Sequence, residues 1–183
     1  MSRNKLLAII ISTLALLSGC QSMADEATIG IAGRVVNADS SVQILNASLN
    51  GSGVSGSGGD ECCMSIPAKW KPGMTATISW TKDPNPKANP DGTKEPSWTN
   101  GRSTPEWRKW MKIHEANYKK MEKTIPLPKY GKTCGVTFVF LPCDDARVIL
   151  DCNEEYNLFR TLPGGKDRYP ELIRRMGGRA VCQ

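Results

Sequence analysis

Met74-Thr75-Ala76-Thr77-Ile78-Ser79-Trp80 alternates apolar and hydroxyl-bearing side chains one by one. A β-strand turns successive side chains to opposite faces, so Met74, Ala76, Ile78 and Trp80 fall on one side and Thr75, Thr77 and Ser79 on the other. That is the pattern of a strand with one dry and one wet face. The same period recurs, less cleanly, at 28–36, 42–49, 61–66 and 146–152, and in 61–66 it groups Cys62, Met64 and Ile66. Val136-Thr137-Phe138-Val139-Phe140-Leu141 is apolar on both faces, as a strand in the middle of a covered sheet would be. Consecutive strands usually lie side by side. The expected fold is therefore mainly β, an antiparallel sheet or sandwich.

Outward from the strands, helical signals occur at two places. Thr104-Pro105-Glu106 combines an N-cap, a first-turn proline and a first-turn acid. Trp107, Trp110, Met111, His114 and Tyr118 then follow at helical spacing with basic residues between them, predicting an inserted amphipathic helix over about 105–117. Residues 119–125 fit either an extension of that helix or a further strand. A short C-terminal helix is expected from Tyr169-Pro170-Glu171 to the stop at Gly177-Gly178, with Leu172, Ile173 and Met176 inside. Two loops stand out. Residues 51–59, GSGVSGSGG, read as a mobile tip or as a place where another backbone approaches closely. Lys82–Ser103 holds Pro84, Pro86, Pro90, Pro96 and Trp98, and loops of that length in compact domains are commonly functional or disordered.

The N-terminus reads as an export leader. MSRNKLLAIIISTLALLSGC has a basic start, an apolar run from Leu6 to Leu17, and small residues before a cysteine. Twelve helical residues reach about 18 Å, short of a hydrocarbon core of about 30 Å. Leu17-Ser18-Gly19-Cys20 resembles the bacterial lipobox, which makes 1–19 a signal peptide, Cys20 the lipidated N-terminus and 20–27 an anchor and tether. Gln21 rather than Asp after Cys20 implies an outer-membrane lipoprotein facing the periplasm, with several acyl chains giving stable anchoring. The remainder, 28–183, suits one β-rich domain carrying an insert at 82–118.

Six cysteines follow the anchor: Cys62, Cys63, Cys134, Cys143, Cys152 and Cys182. In an oxidising compartment they are candidates for up to three disulfides. Cys134 and Cys152 are equidistant from Cys143, so a hairpin turning at Cys143 would bring them together. The adjacent Cys62 and Cys63, if extended, face opposite ways and would take different partners, one of them facing the core. Spacings of nine residues do not match zinc knuckles, and no metal site or cofactor is expected.

Composition narrows the function classes. The chain has 24 Lys and Arg against 18 Asp and Glu, and two of the basic residues, Arg3 and Lys5, lie in the leader. The small remaining excess does not point to nucleic acid. His114 is the only histidine, with no recognisable nucleophile context around it, and reads as a residue on the apolar edge of a helix. Asp144-Asp145 reads as a turn. No catalytic residue is expected. Trp70 and Trp80 fall in or beside strands, whereas Trp98, Trp107 and Trp110 cluster around the insert and are candidates for a partner-binding surface.

Cys62-Cys63-Met64-Ser65-Ile66-Pro67-Ala68-Lys69-Trp70-Lys71-Pro72-Gly73 carries a family resemblance. With Asn50-Gly51 before it, Pro128-Lys129-Tyr130 and Phe140-Leu141-Pro142 after it, the chain over 28–151 resembles bacterial lipoproteins known only as a domain of unknown function. It departs from them at Ile29-Gly30-Ile31 and in its cysteine-rich C-terminal extension. Members are often encoded beside type VI secretion phospholipase effectors. The resemblance implies an immunity protein that binds and neutralises such an effector in the periplasm. A structural or envelope-assembly lipoprotein without a toxin partner, and a carbohydrate-binding module, are the alternative expectations.

Overall fold

The structure is a computed structural model that describes residues 27–56 and 58–182. The leader, Cys20 and all of the tether but Ala27 lie outside the described residues. The elements run β1 (Thr28–Asn37), β2 (Gln43–Leu49), β3 (Ser52–Ser55), β4 (Glu61–Pro67), β5 (Thr75–Asp83), α1 (Pro105–Glu115), β6 (Lys119–Pro126), β7 (Thr133–Leu141), β8 (Asp145–Asp151), α2 (Cys152–Arg160) and α3 (Arg168–Arg175). The fold is mainly β, with an inserted helix and a short C-terminal one. Residues 119–126 are strand, and β5 runs on to Asp83, so the insert begins at Pro84 rather than Lys82.

Two four-stranded sheets form a sandwich, one in the order β4-β1-β7-β8 and the other β3-β2-β5-β6. The second is antiparallel throughout. The first departs from sequential pairing: β1 lies antiparallel to β4 and parallel to β7, with Gly33 opposite Val136 and Asn37 opposite Phe140. A parallel pair needs a long crossover rather than a hairpin, and here most of the chain lies between the two strands.

The alternation of β5 is realised as read: Ala76, Ile78 and Trp80 are buried in the sandwich interior and the hydroxyl residues face out. They meet Met64 and Ile66 of β4, Val136, Phe138 and Phe140 of β7, and Ala146, Val148 and Leu150 of β8. Trp80 and Phe140 pack with centroids 5.5 Å apart. The opposite face of β7 is also buried, because Val139, Leu141 and Ile149 are covered by Leu172 and Ile173 of α3, with Leu158 and Phe159 of α2 beside them. This double cover explains why β7 is apolar at nearly every position.

The strand expected at 146–152 is β8, Asp145–Asp151, and only Cys152 departs from it by opening helix α2. Asp151 accepts from the backbone N–H groups of Asn153 and Glu154, ending β8 and capping the helix that starts at Cys152. The Gly131 N–H, then those of Glu154 and Asn153, hold the Asp151 carboxyl below its ordinary value. In the glycine-rich stretch, β3 pairs with β2. Gly56 donates to the Leu45 carbonyl at 2.8 Å. A Cβ there would overlap the Ile44 carbonyl oxygen, so close backbone approach is the reason for glycine at this position.

Cys134 joins Cys152 across the base of the β7–β8 hairpin, whose turn places Cys143 and Asp144 at φ 69° and 57°. Cys143 joins Cys182, fastening the C-terminal segment to that turn. Loop closures spanning 18 and 39 residues correspond to roughly 3 and 4 kcal/mol of chain-entropy stabilisation. Cys62 and Cys63 overturn the expectation of separate partners: they are bonded to each other, and both are exposed. The expectation assumed a trans peptide with side chains on opposite faces. The Cys62–Cys63 peptide is cis, which sets both side chains on one side with Cα atoms 3.1 Å apart.

The conspicuous motif residues hold the β4–β5 connection in place. Trp70, half-buried, donates its indole N–H to the Leu127 carbonyl at 2.9 Å. Buried Tyr130 donates its hydroxyl to the Pro67 carbonyl at 2.6 Å. Pro67, Trp70 and Tyr130 thereby tie the end of β4 to the chain between β6 and β7.

Candidate partner-binding surface

The insert is built on α1. Thr104 caps it by accepting from Trp107 N–H at 3.1 Å, Pro105 occupies the first turn and Glu106 supplies the acid there. Before the helix, the loop folds on itself: Asn89 N–H donates to the Thr93 carbonyl, Ala88 bridges to Lys94, and Thr99 bridges to Arg102.

What fastens this insert to the sandwich is a buried polar cluster. His114 (5% exposed), Asp83 (3%) and Asn89 (1%) come from α1, the end of β5 and the loop. His114 Nε2 lies 2.8 Å from Asp83 Oδ2, and Nδ1 lies 3.1 Å from Asn89 Oδ1. The Asn89 amide nitrogen donates to the Trp110 carbonyl at 3.2 Å, which turns its oxygen toward the ring. Each ring nitrogen therefore meets a side-chain oxygen, one from Asp83 and one from Asn89. Asp83 Oδ1 accepts from Asn85 N–H at 2.9 Å. Trp110 stacks on the imidazole at 4.3 Å and Tyr118 meets its edge at 5.7 Å. Burial, then the charges of Asp83 and Glu115, push the Tyr118 phenol above its ordinary value.

Chemically, this cluster is a latch. Both ring nitrogens of His114 are engaged by Asp83 and Asn89 inside the fold, and among the described residues its polar contacts contain no serine, threonine or cysteine nucleophile. No group of three or more His, Cys, Asp or Glu side chains among the described residues could hold a metal ion.

The three candidate tryptophans separate. Trp110 is 6% exposed and donates its indole N–H to the Thr93 carbonyl at 3.0 Å, so it is removed from the partner-binding set: helical spacing puts it on the inner stripe with His114. Trp107 is half-buried and donates to Glu95 at 2.7 Å. Trp98 is 53% exposed and packs edge-on against Trp107, centroids 5.2 Å apart and planes at 72°. Ile113 of α1 is exposed as well. Residues 84–118 carry six Lys or Arg against four Asp or Glu. The insert thus presents an aromatic pair, with Glu95 bonded to the inner ring.

Asp83 and Asn89 escaped the sequence reading. Each precedes a proline, Asp83-Pro84 and Asn89-Pro90, a pattern that signals turns and carries no mark of a distant histidine partner.

A separate cleft of 590 Å³ lies between β6, β8 and the C-terminal helices, lined by Ile125, Val148, Leu158 and Met176 with Arg147 and Glu154 among the polar groups. Burial, then the Asp151 charge, raises the Glu154 carboxyl above its ordinary value. None of the residues lining it belongs to the insert. No helix among the described residues is long and apolar enough to cross a membrane.

No curated protein and no solved structure matches the chain. A family described as a protein of unknown function (DUF3304) matches residues 30–148, a stretch that runs from β1 through the insert into β8. That stretch is more than half of the 183 residues, and the chain belongs to the DUF3304 family.

Proposed function

We propose that this protein is an outer-membrane lipoprotein, anchored through Cys20 and facing the periplasm, that binds and neutralises a type VI secretion phospholipase effector. The observation that carries the binding role is Trp98: a large apolar ring, 53% exposed, supported by Trp107 on an insert that a buried cluster holds in place. Tryptophans presented on a fixed scaffold are the residues around which binding energy concentrates, because their burial is large and little conformational freedom remains to lose. The lipobox-like leader supports an anchored location, and the disulfides Cys134–Cys152 and Cys143–Cys182 suit an oxidising compartment. The immunity role itself rests on the family resemblance and on neutralisation needing a complementary surface only.

The planes of Trp98 and Trp107 meet at 72°, which gives a carbohydrate-binding reading no flat aromatic platform at this place. A structural envelope lipoprotein remains the alternative, and co-expression separates the two. The test takes the phospholipase effector that the immunity reading expects beside this gene: cells producing it should survive when the full chain is exported with its leader, and death at the same rate with and without it rejects the immunity role. In titration against that lipase, Trp98→Ala should weaken binding by about tenfold or more. Unchanged affinity rejects the insert as the contact face.

A further inference from the structure

The disulfide between Cys62 and Cys63 differs from the other two in what it can do for the fold. Cys134–Cys152 and Cys143–Cys182 close loops spanning 18 and 39 residues and so restrain the unfolded chain. A bond between adjacent residues joins no separated segments, and chain restraint does not account for it. Its accessibility differs too. Both Cys62 and Cys63 are exposed, whereas each of the other bridges has a half-buried partner, Cys152 in one and Cys143 in the other.

Its position in the sheet is also distinctive. Strand β4 is terminal in its sheet, paired on one side by β1. The register between them runs Ile31 opposite Met64 and then Gly33 opposite Glu61, leaving the single residue Ala32 against the two cysteines. The pair therefore sits in a bulge on an edge strand, where the ladder is interrupted and an incoming chain displaces no neighbouring strand.

We propose that Cys62–Cys63 is a thiol–disulfide exchange site whose reaction partner is a protein dithiol, such as that of an envelope oxidoreductase. A thiolate of the donor attacks one Sγ and forms a mixed disulfide as the Cys62–Cys63 bond breaks. The displaced cysteine leaves as thiolate and takes up a proton. The donor's second thiol, as thiolate, then attacks the donor sulfur of the mixed disulfide, closing the donor's own disulfide and releasing the other cysteine, which is protonated in turn. Two electrons and two protons pass from donor to pair, and a more oxidising protein disulfide reverses the exchange. Exposure on both cysteines makes this bridge the one that reacts, while Cys134–Cys152 and Cys143–Cys182 keep the domain folded.

The test uses the oxidised full chain under native conditions. It is incubated with dithiothreitol and separately with a reduced thioredoxin-type dithiol protein, quenched at intervals with an alkylating reagent and mapped by peptide mass. Cys62 and Cys63 should be labelled at least about tenfold faster than the other four cysteines with either donor, with circular dichroism unchanged during the fast phase. Three results would overturn the proposal: six cysteines labelled together, Cys134 or Cys182 labelled first, or Cys62 and Cys63 labelled before any reductant is added. A chain carrying Cys62→Ser and Cys63→Ser should lose the fast phase. Its persistence would also overturn the assignment, and the mapping on the natural chain stands whether or not that variant folds.

Discussion

Replacing His114 with alanine probes the latch that holds the insert. In the native chain the imidazole lies between Asp83 at 2.8 Å and Asn89 at 3.1 Å, and Trp110 covers its face. His114→Ala removes the ring and leaves Asp83 Oδ2 and Asn89 Oδ1 without it in a site where both residues are almost fully buried. Asp83 keeps the Asn85 N–H on its other oxygen, so the carboxylate is only partly satisfied. Leaving two buried side-chain oxygens without their ring partner costs about 1–3 kcal/mol each, together a large share of a domain stability of about 5–15 kcal/mol. The three residues join the end of β5 to the insert and not one sheet to the other, so the loss should fall first on the insert. At about 1.4 kcal/mol per decade, it raises the opened population about tenfold or more. Limited proteolysis reads this directly through cleavage after Lys87 and Lys94, and urea unfolding followed by tryptophan fluorescence reads the total loss. The reasoning is refuted if cleavage at those sites stays at the natural rate and the stability change is below about 1 kcal/mol.

Trp98→Ala, in contrast, should change stability by no more than about 0.5 kcal/mol in the same urea assay, because the ring is more than half exposed. A larger loss would mean that Trp98 supports the fold. Gly56→Ala should cost about 1–3 kcal/mol, since the new methyl meets the Ile44 carbonyl and the β2–β3 hairpin must shift, and an unchanged thermal midpoint would contradict that. Replacing Cys134 and Cys152 together with serine should cost about 3 kcal/mol through the loop they close, measured as a shift in denaturant midpoint. Acid should act through Glu171, whose carboxyl is held down to about 2 by hydrogen bonds from Arg174 and then Arg175. A carboxyl lowered in the folded state stabilises fully above its unfolded value of 4.5, and that contribution disappears as pH falls from 4.5 toward about 2. Asp145 acts in the same sense: burial opposes ionisation, but Arg147 and Lys123 outweigh it and lower the carboxyl overall. Glu171→Gln should flatten the stability profile across that window, and an identical slope in the variant would remove Glu171 as its source.

Local patterns carried much of the fold. Period two marked β5 and the burial of Ala76, Ile78 and Trp80, and the two-faced apolar run marked β7 as central. The capping signals at Thr104-Pro105-Glu106 marked the start of α1. Even the pairing of Cys134 with Cys152 could be read from equal spacing about a turn, because a hairpin converts sequence symmetry into proximity. Helix α2 was missed because it is nine residues long and its apolar side, Leu158 and Phe159, makes sense only against the outer face of the first sheet.

The candidate site divides along the same line. Sequence alone determined that the insert carries Trp98 in its loop and Trp107, Trp110 and His114 at the spacing of one helix, since that follows from residue identity and 3.6-residue periodicity. Only the tertiary structure decided that Trp110 is interior and Trp98 exterior, that Asp83 and Asn89 close on His114, and that Cys62 bonds Cys63 rather than a distant cysteine. Those outcomes depend on where separate segments meet and on the isomer of one peptide bond. Neither is encoded in a local run of side chains, because a buried polar group is satisfied by whichever partner the packing delivers.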